Sequence, residues 1–150
     1  MNMKINTSFV AGVALAFFNH QPKMLLLKRA KESYWCHIAG EIESEETGWQ
    51  ALLREVNEET QISVHKLYNG DYLEQFYDPH QNQIMMIPCF VLFCSADPRV
   101  ILNEEHTDYK WCTLEEAKAL APFPNQHDLY DHIWRYFVLK TPPSYLNITL

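Results

Sequence analysis

Positive charge is scarce in this 150-residue chain, which carries 12 Lys+Arg against 19 Asp+Glu for a formal charge of −7. Without a Lys/Arg cluster it lacks the electrostatic footprint of a protein that holds duplex nucleic acid or an anionic membrane by charge. A small, locally bound polyanion is still admitted. The four cysteines, Cys36, Cys89, Cys94 and Cys112, form no C-x-x-C pair, and Cys89 and Cys94 fall in an apolar run where a buried thiol is the ordinary occupant. Reduced, structural thiols and a cytoplasmic protein are therefore expected. No run reaches the ~18 apolar residues of a membrane helix. Lys4 ahead of the apolar stretch from Phe9 to Phe18 has the length of a secretory signal core. Removing it would delete a core strand, so the stretch is read as structural. Repeats, low-complexity segments and linkers are also missing. With 47% hydrophobic and 21% charged residues, neither disorder nor a coiled coil fits. One domain over residues 1–150 is expected.

The hydrophobic pattern predicts a mixed α/β order. Ser8 to Phe18 and Met24 to Arg29 read as a β-hairpin around Asn19, His20, Gln21 and Pro22. From Thr47 to Thr60 the periodicity is helical, with Trp49, Leu52, Leu53, Val56 and Thr60 on one side. Tyr72 to Tyr77 and Ile84 to Cys94 follow as strands, the second apolar enough to be buried on both faces. After a short strand from Tyr109 to Cys112, Thr113 with Glu116 forms a capping box for a helix to Leu120. Asn125 is placed as the cap of a last helix, about Gln126 to Lys140, with Leu129, Ile133, Phe137 and Val138 inward. These elements predict a mixed sheet packed between helices.

One helix is chemically unusual. Seven glutamates lie between Glu41 and Glu59 with a single basic residue, Arg54. At 100° per residue, Glu55, Glu58 and Glu59 share one sector, away from the Trp49, Leu53 and Val56 face. Like charges at these spacings destabilise a helix by about 0.2–0.5 kcal/mol per pair. Either the face is simply solvated or a divalent cation turns repulsion into attraction. An all-oxygen set suits Mg²⁺ or Mn²⁺, and no Cys/His spacing suits zinc.

Taken in order, Gly40, five residues, Glu46, seven residues, Arg54, Glu55, Val56, one residue, Glu58, Glu59, Thr60, Gln61 and Ile62 resemble the Nudix box, G-x5-E-x7-R-E-U-x-E-E-x-G-U, where U is a bulky aliphatic. Gln61 departs from it, standing where the pattern has glycine. The resemblance implies a Nudix-type α/β/α sandwich with a mixed β-sheet and hydrolysis of a nucleoside diphosphate linked to another group. It implies Glu55, Glu58 and Glu59 as Mg²⁺ (or Mn²⁺) ligands, with the Ala39 carbonyl a further one. Glu46 becomes a supporting acid, and Arg54 orients a helix carboxylate by a charge-assisted hydrogen bond. Such chemistry needs cations because a phosphoanhydride is shielded by its own charge.

Two further stretches, Tyr34 to Gly40 and Glu104 to Trp111, are similar to the subgroup containing dihydroneopterin triphosphate pyrophosphohydrolases. Diadenosine tetraphosphate hydrolases have a comparable E-H-x-x-Y-x-W stretch. Neither the S-Q-P-W-P-F-P-x-S stretch of NADH-cleaving members nor the L-L-T-x-R stretch of coenzyme A members is present. The resemblance points to an acid after the buried strand as general base or an extra metal ligand, Glu105 ahead of Glu104, with an exposed loop acid as the alternative. Arg29 is a candidate phosphate contact or a solvated strand end. Tyr34, Trp35 and Phe76 are candidates to stack on a base or pterin, the alternative being core. His106 is expected to make a structural hydrogen bond. The expected activity is release of a monophosphate and pyrophosphate from a nucleoside or pterin triphosphate, with catalysis by Glu105, Glu58, Arg54 and Glu46. Cleavage of a dinucleoside polyphosphate or nucleotide sugar is the enzymatic alternative. A non-catalytic nucleotide-binding module, for which Gln61 speaks, is the other. The ligand is a small molecule in each case, and a homodimer is left open.

Overall fold

The computed structural model describes residues 2–150. Its strands are β1 (Lys4–Asn6), β2 (Phe9–Phe18), β3 (Gln21–Arg29), β4 (Trp35–Cys36), β5 (Ile38–Glu41), β6 (Val64–Asp78), β7 (Gln83–Cys94), β8 (His106–Cys112) and β9 (Asn147–Ile148). Its helices are α1 (Gly48–Thr60), α2 (Leu114–Leu120) and α3 (Pro124–Ile133). All the strands belong to one mixed sheet: β2 runs parallel to β7 and antiparallel to β3 and β5, and β6 runs antiparallel to β7.

Strand alternation divides the core. Val10, Ala14 and Ala16 of β2 pack with Ala51, Leu52 and Val56 of α1. The intervening Ala11, Val13 and Leu15 face Leu129, Ile133 and Phe137 on the opposite side. Both faces of the sheet are thus covered, as an α/β/α sandwich requires. In β7, Cys89 and Val91 serve one face, Phe90 and Leu92 the other, which is why that run is continuously apolar.

The hairpin turn is tighter than its polar sequence suggests. Asn19 and His20 alone form it, at φ 50° and 66°, while Gln21 and Pro22 pair with Phe18 and Phe17. Two positive φ values match the twist of adjoining strands. Beyond Met24 the two strands part. β3 turns to pair with β8 and β4, and β2 takes β5 as its partner at Phe9–Gly12. The glutamate-rich helix follows from that opening, so the site sits where β2 and β3 diverge.

Four other expectations change. β6 begins eight residues before Tyr72, with a register irregularity between Asn69 and Tyr72 that breaks the alternation. Short strands β1, β4, β5 and β9 hold too few residues to show a period. Asn125 does not cap α3: Phe123 is the N-cap, without a side-chain bond, and Pro124 starts the helix. The Asn125 amide instead donates to the Gln75 carbonyl at 3.5 Å. The helix also ends as α at Ile133, continuing as a π turn over Trp134–Val138.

Candidate active site

Thr47 starts α1 with both bonds of a capping box, its hydroxyl accepting from the Gln50 N–H and the Gln50 side chain accepting from its own. Seven residues later Arg54 gathers the surrounding acids. It bonds Glu46 at 2.6 Å, Glu55 at 2.9 Å, Glu58 at 3.3 Å and the Glu41 carbonyl at 2.9 Å. The guanidinium holds the Glu46 carboxyl below its ordinary value, helped by the Glu43 N–H. Arg54 is therefore committed within the protein, as a clamp on the loop and the helix.

Glu55 lies against Gly40. A Cβ on that glycine would run into the Glu55 side chain, so the close approach of strand and carboxylate requires glycine there. Burial pushes the Glu55 carboxyl up. Ala39, half-buried on β5, pairs with Ala11 beside it.

One turn on, Glu59 is only 3% exposed, and its Oε2 is buried without a hydrogen-bond partner. It faces Glu105 and His106, and one ligand atom from each of the three falls within 4.8 Å of the others. The Ala30 N–H donates to the Glu105 carbonyl at 2.9 Å, which ties that loop to the end of β3. Burial, then Glu105, then the charge of Glu55 push the Glu59 carboxyl up to about 9, while Arg29 opposes them. Two carboxylates this close bond each other only if one keeps its proton. His106 is buried, its Nδ1 has no partner, and burial followed by the Arg29 charge lowers its pKa. The structural bond expected of His106 is thus missing at Nδ1. Three groups of ligating type thus converge here, an arrangement that a divalent cation satisfies.

The three helix carboxylates are not equivalent. Glu58 has half its side chain exposed and turns to Arg54, whereas Glu55 and Glu59 are turned inward. Gln61, in place of the box glycine, adopts φ 57° and ψ 23° and donates its N–H to the Asn57 carbonyl at 3.1 Å. The left-handed helix ending is kept, at the cost of a side chain there.

Arg29 ends β3 opposite His106, just after a register irregularity that re-aims it. It bonds both oxygens of Glu32, at 2.8 and 3.1 Å, and lies over the Tyr34 ring. Tyr34 packs edge-on against Phe123, and Trp35 rests on the α2/α3 side of the core. Phe76 is exposed on β6, beside an opening it lines with Met3, Gln75, Tyr77 and Ile84. Arg29 and Tyr34 are brought together near Glu59; Phe76 stands apart on the other side of the sheet's centre. The four cysteines are free and buried, and burial pushes Cys36 and Cys94 up to about 12.

Reasoning from the chain order missed a buried polar group beside this site. His37 Nε2 lies 2.6 Å from Glu74 Oε1, its Nδ1 lies 2.8 Å from the Tyr130 hydroxyl, and the Cys89 thiol donates to the same Glu74 oxygen at 3.7 Å. The carboxylate only accepts, so Nε2 carries the proton. Burial would raise the Glu74 pKa, but the His37 charge and hydrogen bond outweigh it and hold the group low. A signal existed: Glu74 occupies an inward position of β6, between Tyr72 and Phe76.

The chain matches the NUDIX domain family over residues 8–133. It is 26% identical over 107 residues to the Caenorhabditis elegans bis(5'-nucleosyl)-tetraphosphatase (asymmetrical), covering 71% of this chain and 78% of that protein. A crystal structure of a C. elegans Ap4A hydrolase binary complex superposes with a TM-score of 0.76 at 23% identity, covering 87% of this chain and 96% of that one. The E. coli dihydroneopterin triphosphate pyrophosphohydrolase superposes with a TM-score of 0.68 at 22% identity, covering 87% and 94%.

Proposed function

Because this chain belongs to the NUDIX domain family and is a hydrolase of phosphoanhydride bonds, we propose that it cleaves a nucleoside or pterin triphosphate to a monophosphate and pyrophosphate, using Mg²⁺ or Mn²⁺. The observation that carries this reading is the buried, partnerless Glu59 oxygen facing Glu105 and His106. Glu55, Glu59, Glu58 and the Ala39 carbonyl are the groups to hold the cations. Bound there, they would neutralise phosphate oxygens and acidify an attacking water. Glu105, exposed at the rim, takes the water's proton. Arg54 and Glu46 keep the helix carboxylates in place, so little reorganisation accompanies the reaction. Arg29 meets the phosphate chain by exchanging its bond to Glu32, and Tyr34 and Trp35 supply aromatic surface for the ring system.

We take residues 1–150 as one domain acting in the cytoplasm, where its buried thiols stay reduced. Similarity to the nematode tetraphosphatase favours a second reading, cleavage of a dinucleoside polyphosphate. A binding module without catalysis is disfavoured, since the carboxylates are present and the helix keeps its left-handed ending at Gln61. The test is hydrolysis of GTP, ATP, dihydroneopterin triphosphate, diadenosine tetraphosphate and ADP-ribose in Mg²⁺, Mn²⁺ or EDTA, with products separated by ion-exchange chromatography. Metal-dependent pyrophosphate from a triphosphate supports the first reading. Preference for the tetraphosphate transfers the function to the second, and no turnover with any of them leaves the binding module.

A further inference from the structure

Three buried side-chain polar atoms have no hydrogen-bond partner among the described residues, and two of them, Glu59 Oε2 and His106 Nδ1, belong to one group. Leaving both orphaned costs the desolvation of each. Glu59 is 3% and His106 6% exposed, whereas Glu105, the third member, is exposed and opens the group to solvent. The backbone that carries Glu105 and His106 is pinned: the Glu105 N–H donates to Asn103 Oδ1 at 3.1 Å, its carbonyl accepts from the Ala30 N–H at 2.9 Å, and His106 pairs with Arg29 across β3 and β8. The fold itself thus holds the group in place. Arg29 bonds Glu32 rather than Glu59.

One ring nitrogen of His106 and one oxygen each of Glu59 and Glu105 fall within 4.8 Å of one another. Ligands about 2.2 Å from a shared ion lie no more than about 4.4 Å apart, so a single cation can take all three with little movement. The nitrogen decides which cation. Mg²⁺ is a hard ion that takes oxygen ligands and keeps several of its waters, so an imidazole is a poor exchange for one of them. Mn²⁺, Co²⁺ and Zn²⁺ accept nitrogen, with affinity rising along the first transition row. We propose, resting on the hydrolase reading above, that His106 is a nitrogen ligand to the cation held by Glu59 and Glu105, and that it makes this position select Mn²⁺ or a later first-row ion over Mg²⁺. A neutral imidazole completes the set without adding to the repulsion between the carboxylates. Glu105 ligates through one oxygen and keeps the other for the proton of water. Glu55, Glu58 and the Ala39 carbonyl, oxygen donors all, form the part of the site suited to Mg²⁺.

The test is metal binding to the substrate-free protein after EDTA treatment and dialysis. Pulsed electron paramagnetic resonance of the parent with sub-stoichiometric Mn²⁺ should show coupling to a histidine nitrogen, which changes when the protein carries ¹⁵N-histidine and vanishes in His106→Gln. Calorimetric titration should find Mn²⁺ bound ~10-fold or more tighter than Mg²⁺ in the parent, and His106→Gln should weaken Mn²⁺ ~10-fold or more but Mg²⁺ less than ~3-fold. Equal loss for both ions would mean that His106 only supports the fold around the carboxylates, and it would overturn the proposal. A parent spectrum without histidine coupling, or coupling that survives the substitution, would do the same. His106→Leu, which fills the buried position without a polar atom, serves if the glutamine variant does not fold, and the labelled parent needs no variant at all. Nitrogen-ligated Mn²⁺ without turnover of any phosphoanhydride substrate would sustain the ligand and sink the hydrolase reading. Metal-dependent turnover without histidine coupling would sink the ligand alone.

Discussion

Replacing Glu59 by glutamine should stabilise the metal-free protein above neutral pH. The ordinary carboxyl value is 4.5, and in the folded protein burial, Glu105 and Glu55 push it up to about 9. Between those values the folded state holds a proton that the unfolded chain has released, so the contribution of Glu59 to stability is greatest below pH 4.5 and falls as pH rises toward 9. Each pH unit in that window costs about 1.4 kcal/mol, which sets a ceiling of roughly 5 kcal/mol at pH 8. Relaxation and sharing of the proton with Glu105 reduce this, and we expect ~1–2 kcal/mol. For a chain of 150 residues that is roughly 2–8 °C in Tm. The glutamine amide reproduces the shared proton by donating to Glu105, and it does not ionise. Thermal denaturation in EDTA at pH 6 and pH 8 should therefore show the parent losing stability relative to Glu59→Gln. Adding Mg²⁺ should restore the parent and help the variant much less. If the metal-free variant is no more stable than the parent at pH 8, Glu59 does not carry a strongly raised pKa, and the argument for a cation at this site loses its main physical support.

Glu105→Gln should lower kcat by about 10²-fold with a smaller change in KM, and Glu104→Gln should be milder; steady-state kinetics showing the reverse order would move the base to Glu104. Gln61→Gly should raise stability by about 1 kcal/mol at most, because glycine relieves the left-handed backbone at φ 57°, with kcat changed less than ~3-fold; denaturant melts that show a loss would contradict the left-handed ending. Gly40→Ala should cost ~1–3 kcal/mol and lower kcat ~10-fold or more, since the added Cβ displaces Glu55; unchanged Tm and kcat would show that the strand and carboxylate are not in tight contact.

Local chemistry made much of this protein legible before any coordinates. The capping box at Thr113 is formed as the spacing requires, because all its donors and acceptors lie within four residues. The continuous apolar run of β7 announced a strand covered on both faces, and the box spacing singled out the acidic helix. Other features depend on partners far along the chain. Helical period alone makes Glu55, Glu58 and Glu59 alike. Gly40 and the loop before β8 divide them, burying Glu55 and Glu59 and leaving Glu58 to Arg54. Asn125 is a good cap by type, but the Gln75 carbonyl lies within its reach and Pro124 already begins the helix. The Glu74, His37 and Tyr130 group joins residues 37 and 93 positions apart. Alternation along β6 marks Glu74 as inward, but no local pattern names its partners, because a buried charge is tolerated only where sheet and helix bring it a partner, and that partner exists only once the chain has folded.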